Sequence, residues 1–98
     1  MRVHFDPAAL AELIGAVDWY AARSEQAARK LAIEFERSVL RLREAPLRWP
    51  TSWYGTRRVR LRRFPFAIVY RVGTDEIQVV AVAHLHRRPG YWRDRTSG

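Results

Sequence analysis

Apolar and polar positions alternate at the start of the chain. Val3 and Phe5 stand against Arg2 and His4, which predicts a short strand over residues 1–5. The period then changes. Leu10, Leu13, Ile14 and Val17 recur at helical spacing. Asp6-Pro7 before them supplies an N-cap and a proline suited to the first helical position. Trp19-Tyr20 close this helix near Arg23, and Ser24 begins a second, with Glu25 complementing its dipole. Leu31, Ala32, Phe35, Val39 and Leu42 mark the apolar face of the second helix. Pro46 ends it, because the residue before a proline avoids helical geometry. So short a link between the helices predicts an antiparallel hairpin. Glu34 and Glu36 fall on different sides of the second helix and form no carboxylate pair.

Residues 46–56 are an aromatic-rich loop with Trp49, Trp53 and Tyr54. These rings either cover the sheet and the helix ends or offer faces on which bases stack. A period of two follows over residues 57–63, with Val59 and Leu61 on one face and Arg58, Arg60 and Arg62 on the other. Pro65 marks a turn, residues 66–72 are strongly β-prone, and Gly73-Thr74-Asp75 is a hairpin turn. The last strand spans residues 76–84. Its unbroken Val79-Val80-Ala81-Val82-Ala83 implies burial on both faces and a central place in the sheet. The order β-α-α-β-β-β defines an α+β domain, with a helical hairpin packed on a mostly antiparallel four-stranded sheet. Residues 1–98 read as one domain, with residues 84–98 as a C-terminal tail.

If Val59 and Leu61 face the helices, the far side of the sheet is an arginine row. The tail leaves the last strand nearby, so His84, His86, Arg87, Arg88 and Tyr91 are expected to converge on that row. Arginines there would hold an anion, and a His or Tyr beside them would move a proton. The plainer reading is a solvated strand face whose charges prevent aggregation. Tyr91-Trp92 reads most simply as an apolar anchor for the tail.

Composition sharpens this picture. The chain has 98 residues and a formal charge of +8, with 18 basic residues against 10 acidic ones. All the basic residues except Lys30 are arginine, which suits phosphate or an acidic protein partner. There is no cysteine, so disulfides, thiolate nucleophiles and Cys-ligated metals are excluded. His84 and His86 have no third ligand nearby in sequence, and there is no Gly-rich phosphate loop. No metal or cofactor is expected. The first residues lack an apolar stretch of signal-peptide length, and the expected location is the cytoplasm.

Several segments together resemble a known family. They are Asp6-Pro7-Ala8, Trp19-Tyr20, the basic segment from Gly55 to Arg63, and Phe64-Pro65-Phe66-Ala67-Ile68-Val69-Tyr70-Arg71. Val80-Ala81-Val82-Ala83-His84, leading into Arg87-Arg88-Pro89-Gly90-Tyr91-Trp92, completes the set. The chain resembles toxins of the RelE/ParE superfamily, the toxin halves of type II toxin–antitoxin pairs, over nearly its whole length. The resemblance implies a cognate acidic antitoxin and one of two targets. In the RelE-like branch, mRNA is cut on the ribosome. Arg58 and Arg60 then match the second-strand basic residues, Arg87 or Arg88 the late arginine, and Tyr91 the C-terminal tyrosine. Catalytic roles fall to Arg58, Arg60, Arg88 and Tyr91, and binding roles to Arg62, His84, His86, Arg87 and Trp92. Ala67 stands where that branch carries a third-strand arginine. The resemblance therefore leans to the ParE-like branch, which poisons DNA gyrase. A degenerate domain that only binds its antitoxin is the third possibility.

Overall fold

The computed structural model describes residues 1–96. The elements run β1 (Arg2–Phe5), α1 (Pro7–Ala21), α2 (Glu25–Glu44), β2 (Arg57–Arg60), β3 (Phe66–Val72) and β4 (Glu76–His84). Single tight turns occur at Trp53–Gly55 and Arg93–Thr96. Both helix starts rest on side-chain caps. Asp6 accepts from the Ala8 N–H and Ser24 from the Ala27 N–H, satisfying donors that helical bonding leaves open. Among the described residues, no helix is long and apolar enough to cross a membrane.

The four strands form one mixed sheet in the order β1-β4-β3-β2. The meander β2-β3-β4 is antiparallel, while β1 pairs parallel to β4. β4 is thus internal, and Val79 to Ala83 are buried on both faces. On the helix side, Leu31, Phe35 and Leu42 of α2 pack with Val59, Leu61, Ile68, Tyr70, Ile77, Val79 and Val82. A second cluster lies on the opposite face, where Trp92 covers Val69, Val80, Ala81 and Ala83. The tail therefore closes the far face as a second layer of core.

Three expectations need correction. Leu10 and Ile14 do not face the sheet; both are exposed, and Ala9 and Ala16 are buried instead. Small residues let α1 lie close to the sheet, and the larger ones turn outward. The basic strand ends at Arg60 rather than at residue 63. Glu34 of α2 accepts from the Arg62 N–H at 2.6 Å, and Arg63 adopts a left-handed backbone with φ of 69°. These two features turn the chain toward α2, so Arg62 leaves the row formed by Arg58 and Arg60.

The third correction concerns β4. Tyr70 pairs with Val79 and Val69 with Ala81, so Val80 is an extra residue in the ladder. Such a bulge reverses the alternation beyond it. Ile77 and Val79 face the helices before it, and Val82 faces them after it. Val80, Ala81 and Ala83 belong to the opposite cluster. His84 accordingly falls on the helix side, opposite to the face that simple alternation would choose.

Candidate functional site

The far face carries the arginine row. Arg58 is paired in register with Val69, and Arg60 with Ala67. Both guanidinium groups are exposed and join none of the ion pairs among the described residues. Ala67, the register partner of Arg60 on β3, is fully buried and adds no charge to the row. Trp92 is also buried; it anchors the tail rather than offering a surface for a ligand. Its ring meets Tyr54 edge to face, at 6.0 Å between centroids.

The expected convergence of the histidines and Tyr91 on this row does not occur. His84 sits across the sheet, edge to face with Phe66 at 5.2 Å, and tilted against His86 at 5.1 Å. Arg87 stacks over Tyr91, 3.9 Å from its ring centroid. Arg88 and His86 are exposed. His84, Arg87 and Tyr91 instead form one wall of a groove of about 550 Å³. Gly15, Ala16, Trp19 and Tyr20 of α1 form the other wall, with Phe66 and Val82 between them. Trp19 at its rim carries the Arg23 guanidinium 3.6 Å from its ring centroid. The groove is apolar inside and cationic at its edge.

Glu12 holds the wall made by the tail in place. β1 ends opposite Val79, so the edge of β4 beyond it lacks a strand partner. Glu12 reaches across from α1 and accepts from the Val82 N–H at 3.1 Å and from the Tyr91 hydroxyl at 2.6 Å. It also accepts from both terminal nitrogens of Arg95, at 2.8 and 3.3 Å. Arg95 donates in addition to the Val80 carbonyl. One carboxylate thereby joins α1, the bare edge of β4 and the tail. Burial raises the Tyr91 pKa far above the ordinary tyrosine range; the hydrogen bond to Glu12 and its charge add to this, against Arg95 and Arg87. Glu12 carries no sequence signal of its own, because its partners lie far along the chain. Glu34 likewise has no sequence signal beyond its spacing from Glu36, which puts the two on different sides of α2. It accepts from Ser38 at 3.1 Å and from the Arg62 N–H, and so fixes the end of β2.

A two-helix hairpin on a sheet of order β1-β4-β3-β2 is the fold of this chain, and it matches a ParE-like fold. The family described as "ParE toxin of type II toxin-antitoxin system, parDE" matches residues 3–89. The chain belongs to this family, whose members are the toxin components of type II toxin–antitoxin systems. Among solved structures, the chain is similar to one described as the chromosomal ParDE TA system from P. aeruginosa, with a TM-score of 0.77 and 24% identity. That match covers 88% of this chain and 97% of the other. Comparison with curated proteins gave no match.

Proposed function

We propose that this chain arrests growth in the bacterial cytoplasm by poisoning DNA gyrase, acting through binding rather than hydrolysis. One observation carries the reading: the sheet separates the β2 arginines from the His84 and Tyr91 that a ribonuclease would need beside them. Attack by a 2′-hydroxyl requires cations, a base and an acid within reach of one phosphate. Arg58 and Arg60 lie on the far face, His84 lies on the helix side, and the Tyr91 hydroxyl is held by Glu12. Ala67, fully buried, occupies the third-strand position. What is left is a cationic surface suited to recognition.

An acidic antitoxin restrains the toxin in this reading. The net charge of +8 and the apolar groove with Arg23 and Arg87 at its rim support such a partner. The similar P. aeruginosa structure is described as a ParDE system. The test is controlled expression in bacteria, with labelled thymidine and methionine followed over the first minutes. Thymidine incorporation is expected to fall first, with DNA breaks and an SOS response. Methionine incorporation falling first, with phased cuts in mRNA, would transfer the activity to the ribosome. No growth defect would mean a domain that binds its antitoxin and does nothing more.

A further inference from the structure

The solvent side of α2 carries a stripe that the core does not use. Ile33 and Leu40 stand two helical turns apart and remain 48% and 55% exposed. Lys30 and Arg37 alternate with them at spacings of three and four residues, so the four side chains share one face. The corner after β2 brings two more cations to this face. The Arg62 N–H donates to Glu34, and Arg63 takes the left-handed backbone, a conformation that costs energy for a residue with a side chain. Both arginines thereby line, with Lys30, Ile33, Arg37 and Leu40, a trough of about 620 Å³ between α2 and the corner.

Lys30, Arg37, Arg62 and Arg63 are exposed and join none of the ion pairs among the described residues. Two acids share the trough with them. Glu34 is buried and occupied by Ser38, Arg41 and the Arg62 N–H, which leaves Glu44 as the only exposed acid among the lining residues. The lining holds no aromatic ring on which a base could stack, so a nucleic acid would leave Ile33 and Leu40 unused. A docked protein helix would find only two apolar anchors, separated by a cation and without the buried aromatic cluster that carries most protein interfaces. An anionic phospholipid uses both features. Its phosphate meets the cations, and Ile33 and Leu40 reach the boundary of the acyl chains, as on helices that lie in a membrane surface. We propose that this trough is a docking site for an anionic phospholipid surface, with Arg37, Arg62 and Arg63 at the headgroup phosphates and Ile33 and Leu40 inserted beside them. The site lies apart from the groove between α1 and the tail. Binding there is reversible, because two aliphatic side chains insert too little apolar area for a permanent anchor.

The full-length chain is sedimented with vesicles of phosphatidylcholine containing one-third phosphatidylglycerol, and with vesicles of phosphatidylcholine alone. Binding to the first and little to the second is expected. Arg37→Gln should lower partitioning about fivefold, the effect of one cation near an anionic surface. Arg63→Gly should lower it by a similar factor while Tm stays level or rises, since glycine suits φ of 69°, and the loss is then not one of folding. Leu40→Ser should remove the part of the binding that survives high salt. Arg2→Gln removes the same charge from β1, at the opposite edge of the sheet from β2, and should change partitioning by less than about twofold. An equal loss in Arg2→Gln and Arg37→Gln would reduce the effect to the net charge of +8 and overturn the proposal. Unchanged binding of Leu40→Ser at high salt would overturn it as well. Displacement from vesicles by millimolar inorganic phosphate would make the trough a site for free anions. Tighter binding of an acidic amphipathic peptide, lost in Arg37→Gln, would assign it to a protein partner. Either of these results overturns the lipid assignment.

Discussion

Removing the Glu12 carboxylate should loosen the tail and lower the stability of the whole fold. The carboxylate serves Tyr91, Val82 and both terminal nitrogens of Arg95, so Glu12→Ala strands several donors at once. A hydrogen bond to a charged group contributes about 1.5–3 kcal/mol, and an orphaned buried donor costs about 1–3 kcal/mol. These contributions do not add, and the Glu12 and Arg95 side chains are 19% and 22% exposed, so water recovers part of the loss. The expected loss is about 2–4 kcal/mol, a large share of the stability of a domain this size. At about 4–8 °C per kcal/mol, Tm should fall by roughly 8–32 °C. Glu12→Gln retains one acceptor and should lose about half as much. Urea and thermal unfolding followed by circular dichroism measure the change. A double-mutant cycle with Arg95→Met should give a coupling of about 1–2 kcal/mol. Amide exchange at Val82 should accelerate more than exchange in β3. A loss below about 0.5 kcal/mol in Glu12→Ala would refute the reasoning and reduce the cluster to an ordinary surface ion pair.

Three further outcomes follow from the same geometry. The Tyr91 pKa is raised by burial and then by Glu12, so the unfolded chain releases that proton first. Stability should hold up to the ordinary tyrosine value of 10.0 and fall as pH rises beyond it. Tyr91→Phe should remove part of that fall, leaving the contribution of Tyr70, also raised by burial, as urea titrations at stepped pH would record. Gly15 lies inside α1 with open space where a Cβ would go, so Gly15→Ala should stabilise by up to about 1 kcal/mol, read as a higher Tm. Gly90 has φ of +77° and faces Trp53, so Gly90→Ala should cost about 1–2 kcal/mol and shift tryptophan emission.

Local chemistry made most of the elements readable. Asp6 and Ser24 cap where a short acceptor precedes a helical period, and β3 and β4 begin and end at the expected residues. Readings failed where the deciding partner is distant in sequence. The helical spacing of Leu10 and Ile14 is real, but the sheet selects Ala9 and Ala16 because they permit close approach. Val79 to Ala83 revealed burial on both faces but not the bulge, since every residue in the run is apolar and alternation has nothing to register. That single extra residue moved His84 to the other side of the sheet. The basic strand was legible in outline, while Glu12 was not, because its meaning depends on Val82, Tyr91 and Arg95 coming to it.

The parallel pairing of β1 with β4 sets an order of assembly. The β2-β3-β4 meander joins neighbouring segments and forms quickly once its turns are made, whereas β1 must close a far longer loop, from Arg2 to Glu76. During synthesis, the first strand leaves the ribosome long before its partner exists. The two helices must therefore wait with their apolar faces only partly covered. The outer edge of the sheet, with the tail fastened across it, is completed only after β4 and the tail have both been made.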